Sequence, residues 1–333
     1  MARLFSRRDT FGVVTPDQTK GQRRRRLGNS GLAVSVVGLG CNNFGGRLDA
    51  DRTAQVVHAA LDAGITLFDT ADIYGNGLSE EYLGKALGSR RDEIVLATKF
   101  GMDMQGANGP DFGARGSRRY VLRAVEASLR RLGTDWIDLY QMHAPDSKTP
   151  IDETLEALSG LVRDGKVRYI GCSNFSAWQV ADADWTARDR GLHRFVSAQN
   201  HYNLLNRAPE TELTPSCEHF GLGILPYFPL ASGLLSGKYR RGEPAPEGTR
   251  LSGRDDALSD ERFDAVEKLQ TFAQERGLTL LQVAIGGLAA QPAVASVIAG
   301  ATSPEQVTSN VEAGRWRPGA EDLEALDLAA PTR

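Results

Sequence analysis

The stretch EIVLATK (Glu93–Lys99), followed by RRYVLRAVEASLRRL (Arg118–Leu132) and WIDLYQMH (Trp136–His143), decides the fold. Its middle piece puts Val121, Val125, Leu129 and Leu132 on one stripe at helical spacing and ends at Gly133, a helix with one buried face and a glycine stop. Its outer pieces are short and continuously apolar with β-branched residues, which is how strands covered on both faces read. Two such strands joined through a helix run parallel, because a parallel pair needs a crossover. The same alternation extends outward to VSVVGLG (Val34–Gly40), ITLFD (Ile65–Asp69), VRYIGCS (Val167–Ser173), FVSAQ (Phe195–Gln199), GILP (Gly223–Pro226) and ASVIA (Ala295–Ala299). Eight strand–helix units predict a parallel, eight-stranded (β/α)8 TIM barrel. An open doubly wound sheet would carry G-x-G-x-x-G, but after Gly38-Leu39-Gly40 the third glycine is replaced by Asn43.

The organisation expected is a single barrel over 26–333 preceded by a loose extension, 1–25, whose end starts a hairpin able to close the barrel floor. From Leu230 to about Asp260, after the seventh run, the chain is long, rich in Gly and Pro and weakly periodic, which reads as a lid. Hydrophobic residues make up 41% and charged residues 24%, enough for a large core. No apolar run approaches the ~18 residues of a membrane span, and no hydrophobic stretch follows Arg7-Arg8, so neither spanning nor export is expected. A net charge of −3 gives no general attraction to nucleic acid or anionic lipid, and the short run Arg23–Arg26 reads as a solvated strand edge. Cys41, Cys172 and Cys217 form no C-x-x-C, which argues against disulfides and structural zinc and fits a reducing cytoplasm. A metal-dependent barrel hydrolase would want His-x-His after the first strand; Gly40-Cys41-Asn42-Asn43 stands there, and His58, His193, His201 and His219 lack ligand spacing. No metal is expected.

Barrel active sites lie at the C-terminal ends of the strands, so polar residues there are the informative ones. One alone is usually a cap or turn residue, but here five runs in succession end in Asp69, Lys99, His143, Ser173-Asn174 and Gln199. Tyr74 follows in the loop Asp69-Thr70-Ala71-Asp72-Ile73-Tyr74-Gly75. A phenol is a poor acid near neutrality, and a neighbouring Lys99 ammonium, itself held by Asp69, is expected to lower its pKa. With His143 orienting a carbonyl oxygen, the set suits protonation of an alkoxide as hydride arrives. Hydride requires a nicotinamide or flavin, hence a phosphate site. Ser303 and Gln306 read as a capping box with Pro304 at the first helical position, so a helix N-terminus attractive to anions is expected after the eighth strand. Lys238, in the loop Ser232 to Lys238, could add charge.

The sequence resembles the aldo-keto reductase family from about Arg26 to Asn310, in particular bacterial members similar to the β subunits of voltage-gated potassium channels. The stretches that carry this are RLGNSGL (Arg26–Leu32), DTADIYG (Asp69–Gly75) with Ser79-Glu80, GCSN (Gly171–Asn174), QNHYN (Gln199–Asn203), PLASG (Pro229–Gly233) through GKY (Gly237–Tyr239), and Gly300 through Asn310. The resemblance implies NADPH-dependent reduction of aldehydes or ketones by Asp69, Tyr74, Lys99 and His143, with Tyr74 as the acid. It also implies Ser173, Asn174 and Gln199 around the cofactor carboxamide, Tyr227 stacked on the nicotinamide, and Gly40, Cys41 and Asn42 after the first strand. Pro229, Leu230, Ala231, Ser232, Gly233 and Lys238 would cover the pyrophosphate; Gly300, Thr302, Gln306 and Asn310 would hold the adenosine end. Where many relatives carry arginine or serine, Thr302 offers a hydroxyl without charge, so NADPH is expected to be preferred over NADH by a narrow margin, with NADH usable. Phe228 replaces a frequent serine, and His143 stands where some channel subunits have asparagine, which favours a working enzyme. The other function the resemblance allows is a cofactor-binding regulatory subunit with little turnover.

Overall fold

A computed structural model describes residues 22–253 and 258–330; part of the expected N-terminal extension, 1–21, and part of the expected lid, 254–257, lie outside the described residues. The described chain enters through a hairpin in which β1 (Arg24–Arg26) pairs antiparallel with β2 (Ala33–Ser35). The barrel strands follow: β3 (Val37–Gly40), β4 (Leu67–Asp69), β5 (Val95–Phe100), β6 (Ile137–Met142), β7 (Val167–Ser173), β8 (Ser197–Gln199), β9 (Gly223–Ile224) and β10 (Val297–Gly300). From β3 to β9 each strand pairs parallel with the next, and β10 returns to β3. The remaining seam closes where the Ala295 N–H donates to the Ile224 carbonyl (2.9 Å) and the Ile298 N–H to the Pro226 carbonyl (3.0 Å). The sheet is therefore a closed (β/α)8 barrel, as the eight runs require.

Outside it lie α1 (Ala50–Asp62), α2 (Leu78–Leu87), α3 (Arg118–Leu132), α4 (Ile151–Arg163), α5 (Ala177–Asp189), α6 (Leu213–Phe220), α7 (Asp260–Glu275), α8 (Leu280–Gln282), α9 (Pro304–Ala313) and α10 (Ala320–Ala329). Helix α3 has the bounds its stripe predicts: Ser117 caps it by accepting from the Tyr120 N–H, and Gly133 ends it at φ +63°. Its stripe joins the large apolar layer between sheet and helices. A second cluster fills the barrel interior, where Leu67, Val95, Leu139, Leu225 and Ile298 meet Leu27 and Val34 from the hairpin. The hairpin is thus the floor, and its two apolar side chains remove from water the lower end of an interior that would otherwise be open.

One strand expectation is corrected. VSVVGLG is not one strand but two short ones, split at Val36. The Ser35 N–H donates to Thr66 Oγ1 (2.8 Å) and Ser35 Oγ to the Val37 carbonyl (2.7 Å), so the chain is turned from floor to wall by a contact with the segment before β4.

Candidate active site

Three neighbouring strands deliver the ionisable groups. Asp69 ends β4, Lys99 lies near the end of β5 and His143 follows β6, held by its N–H to the Phe100 carbonyl (2.8 Å). Tyr74 opens the turn Tyr74–Gly77. Lys99 Nζ is fully buried and donates to Asp69 Oδ2 (2.7 Å), to the Thr70 carbonyl (2.8 Å) and to Tyr74 Oη (3.4 Å). The other carboxylate oxygen, Asp69 Oδ1, accepts from Gln199 Nε2 (2.8 Å) and Gln141 Nε2 (3.1 Å). Both carboxylate oxygens of Asp69 are engaged, which holds the ammonium beside the phenol. The rings of Tyr74 and His143 meet edge to face at 5.9 Å, which brings phenol and imidazole to one point of the mouth.

The electrostatics of this group differ in one respect from expectation. Burial raises the Tyr74 pKa and outweighs the Lys99 ammonium, which lowers it, so the net direction is up. Tyr74 is therefore a protonated phenol throughout the neutral range, with the ammonium placed to stabilise phenolate only as it forms. Burial pulls Lys99 down, but Asp69 and Tyr74 more than compensate and its pKa is raised, so the ammonium stays charged. Burial, helped by Lys99, lowers His143 to about 3. A neutral imidazole offers one N–H, and Nδ1 is buried with no partner among the described residues.

Asp69, Tyr74 and His143 line one end of a cavity of about 570 Å3. The cavity continues past Ser173, Asn174 and Tyr227 and reaches Thr302 and Gln306 at the start of α9. Ser173 Oγ donates to the Gln199 carbonyl (2.8 Å), and Asn174 bridges the His143 carbonyl (2.9 Å) and the Tyr227 hydroxyl (2.8 Å). One face of Tyr227 stacks on His201 at 5.6 Å. Beyond β9 the backbone turns through left-handed residues, Ala231 at φ +47°, Ser232 at +61° and Gly233 at +98°. A Cβ at Gly233 would lie 2.9 Å from Lys238 Cε, so glycine there lets the lysine stem pass. Arg47, Lys238 and Arg250 face the cavity against two carboxylates, Glu247 and Asp69, of which Asp69 is paired with Lys99. A length of this volume, with cations along it and a capped helix N-terminus at its far end, fits a dinucleotide with its phosphates.

Most of the residues expected to touch a cofactor line this cavity, including Gly40, Cys41, Asn42, Asp69, Gln199, Pro229, Leu230, Ser232, Gly233, Lys238 and Gly300. Three of the expected site residues do not line it. Lys99 sits behind the wall, Ala231 packs into an apolar cluster with Leu234 and Leu235, and Asn310 is buried with Nδ2 on the Gly300 carbonyl at 3.5 Å. Ser303 caps α9 as expected, but the return arm is displaced: Gln306 Oε1 accepts from the Thr302 N–H (2.8 Å), one residue earlier than a capping box requires. Gln199, expected at a carboxamide, has its amide nitrogen committed to Asp69. Sequence reasoning passed over Gln141, Arg47 and Arg250. Gln141 could have been found as a polar residue inside the apolar run WIDLYQMH; the two arginines carry no local signal, since each reaches the site across about 200 residues of sequence.

The profile of the aldo/keto reductase family matches residues 36–330. The chain is 39% identical over 295 residues to the uncharacterized oxidoreductase YrpG of Bacillus subtilis, covering 86% of this chain and 89% of the relative. It is 37% identical to a probable voltage-gated potassium channel subunit beta of Oryza sativa (87% and 90%) and 34% identical to L-glyceraldehyde 3-phosphate reductase of Escherichia coli (90% and 90%).

Proposed function

The chain belongs to the aldo/keto reductase family, and from that premise we propose that it reduces aldehydes or ketones to alcohols with NADPH as donor and Tyr74 as the general acid. The observation that carries this reading is the buried chain Asp69, Lys99, Tyr74, which ends in a phenol hydroxyl on the wall of the cavity. A bound reduced nicotinamide supplies the hydride. Lys99 holds a full positive charge next to Tyr74 Oη, so the proton leaves the phenol at lower cost than burial alone would allow. His143, neutral, donates to the carbonyl oxygen and orients it without competing for the proton. Asn174 and Tyr227 hold one another on the cavity wall where a planar carboxamide would rest. Lys238 and Arg250 are assigned to the phosphates, and α9 with Thr302 to the far end.

Among the described residues no helix is long and apolar enough to cross a membrane. With all three cysteines free and buried, the reading places the protein in the cytoplasm. Purified protein, a panel of small aldehydes and ketones, and the fall of NADPH absorbance form the test. Turnover with any member supports the reading; cofactor binding without turnover across the panel replaces it with that of a regulatory subunit.

A further inference from the structure

On the helix side of the wall that carries Lys99 lies a second cluster of ionisable groups, which the chemistry above does not use. The Asp72 N–H donates to the Lys99 carbonyl (3.2 Å), so Asp72 prolongs β4 alongside β5, two residues before Tyr74. Its carboxyl group is fully buried: Oδ2 accepts from Asn108 Nδ2 (2.9 Å), and Oδ1 has no partner among the described residues. Glu80, in the first turn of α2, is equally buried but well served. Its oxygens accept from Thr98 Oγ1 (2.6 Å) and from Arg131 Nε of α3 (2.7 Å). Arg131 Nη1 goes on to Asn108 Oδ1 (3.0 Å), so the one guanidinium reaches Glu80 directly and Asp72 only through a neutral amide. Among the described residues, the hydroxyls of Tyr120 on α3, which Asn108 also approaches (3.4 Å), and of Tyr140 on β6, buried there without a partner, also face Asp72.

Two carboxyl groups thus share one guanidinium in a space closed to water, and a second negative charge there has nothing to meet it. Glu80 has the guanidinium and a hydroxyl as donors, one to each oxygen. Asp72 has an amide, a backbone N–H and a bare oxygen, and keeps the proton. We propose that Asp72 is a positioning residue for proton transfer from Tyr74: as a neutral acid it leaves the wall behind Lys99 uncharged, and on ionising it sets a buried negative charge there that opposes the phenolate. Burial and then the Glu80 charge push Asp72 up to about 7, against the downward pull of Arg131, the Ile73 N–H and Asn108. The switch therefore falls in the neutral range: below it Asp72 is neutral and proton transfer is fast, above it Asp72 is ionised and transfer is slowed.

This inference rests on Tyr74 being the acid, and the experiment separates the two. Single-turnover oxidation of bound NADPH by an aldehyde is followed from about pH 5.5 to 9 in wild type, Asp72→Asn, Glu80→Gln and Tyr74→Phe. The wild-type rate is expected to fall about three- to tenfold across neutrality, and the Asp72→Asn rate to change less than about twofold over the same range. Glu80→Gln, which removes the like charge and frees Arg131, should move the wild-type break to lower pH. A purely structural Asp72 would alter the rate without moving the break. The same break in Asp72→Asn as in wild type overturns the proposal; should that variant not fold, an unmoved break in Glu80→Gln overturns it equally. A full rate in Tyr74→Phe instead overturns the reading of Tyr74 on which it stands.

Discussion

The ring of Tyr74 meets Lys99 and His143 whether or not its hydroxyl is present. Tyr74→Phe should therefore bind cofactor as wild type does while kcat falls about 100- to 10,000-fold, the usual worth of a general acid. Cofactor titration beside steady-state kinetics checks it, and a near wild-type kcat removes Tyr74 from the role. Asp69 and Lys99 are each the other's charge partner in a buried pair. Asp69→Asn leaves the ammonium without its counter-charge, and Lys99→Met leaves the carboxylate with only the amides of Gln141 and Gln199. Breaking such a pair from either side costs about 3–5 kcal/mol, so each single variant should lose most of its kcat and some stability. The double variant, having no orphaned charge, should be little worse than either single. Losses that simply multiply would show that the two residues act apart.

At the scale of elements, the chain after β9 brings Lys238 and Arg250 to the cavity. It crosses the cavity and is fastened on the far side by Arg250 Nη2 to Asn43 Oδ1 (3.2 Å) and by Arg47 to the Gly248 carbonyl, while Arg250 also lies over the Phe228 ring of the same segment at 5.3 Å. If this strap lies over a bound pyrophosphate, amide exchange in residues 230–250 should slow severalfold on adding NADP+, with little change in α3 or β6. Equal exchange at saturating cofactor would leave the strap no part in binding. The contrast with the barrel explains what the sequence made legible. Strands and α3 are written locally, in apolar runs and a stripe ended by Gly133, and the polar residues closing those runs are the ones that meet around Lys99. Features made by distant segments were not readable: the break at Val36 depends on Thr66, the offset arm of Gln306 on the turn at Thr302, and the strap on a pairing of Arg250 with Asn43. The direction of the Tyr74 shift was misjudged for the same reason, since the neighbouring charge is visible in the sequence and the depth of burial that outweighs it is not.

Over the whole molecule the charge is −3, which would repel an anionic dinucleotide if net charge governed the encounter. The cavity has the opposite sign, because Lys99 offsets Asp69 and Arg47, Lys238 and Arg250 then outnumber Glu247 there. Burial and the nearby Arg47 lower the Arg250 pKa, and among the described residues no carboxylate is paired with its guanidinium. At physiological salt the Debye length is about 8 Å, so an approaching ligand feels the cavity and not the distant acidic surface. A 2′-phosphate adds charge to NADPH that NADH lacks, yet the far end offers it Thr302 and the start of α9, worth only ~0.3 to 2 kcal/mol. The preference for NADPH should therefore be real but narrow, and should shrink further as salt screens the cations. Thr302→Arg would place a full charge and a fork of donors at that end, widening the ratio of kcat/KM for the two cofactors at low ionic strength and losing much of the gain at high ionic strength. Measuring both cofactors at two salt concentrations, in wild type and Thr302→Arg, decides the matter. If NADH serves wild type as well as NADPH, and the arginine leaves the ratio where it was, the 2′-phosphate does not lie at the start of α9.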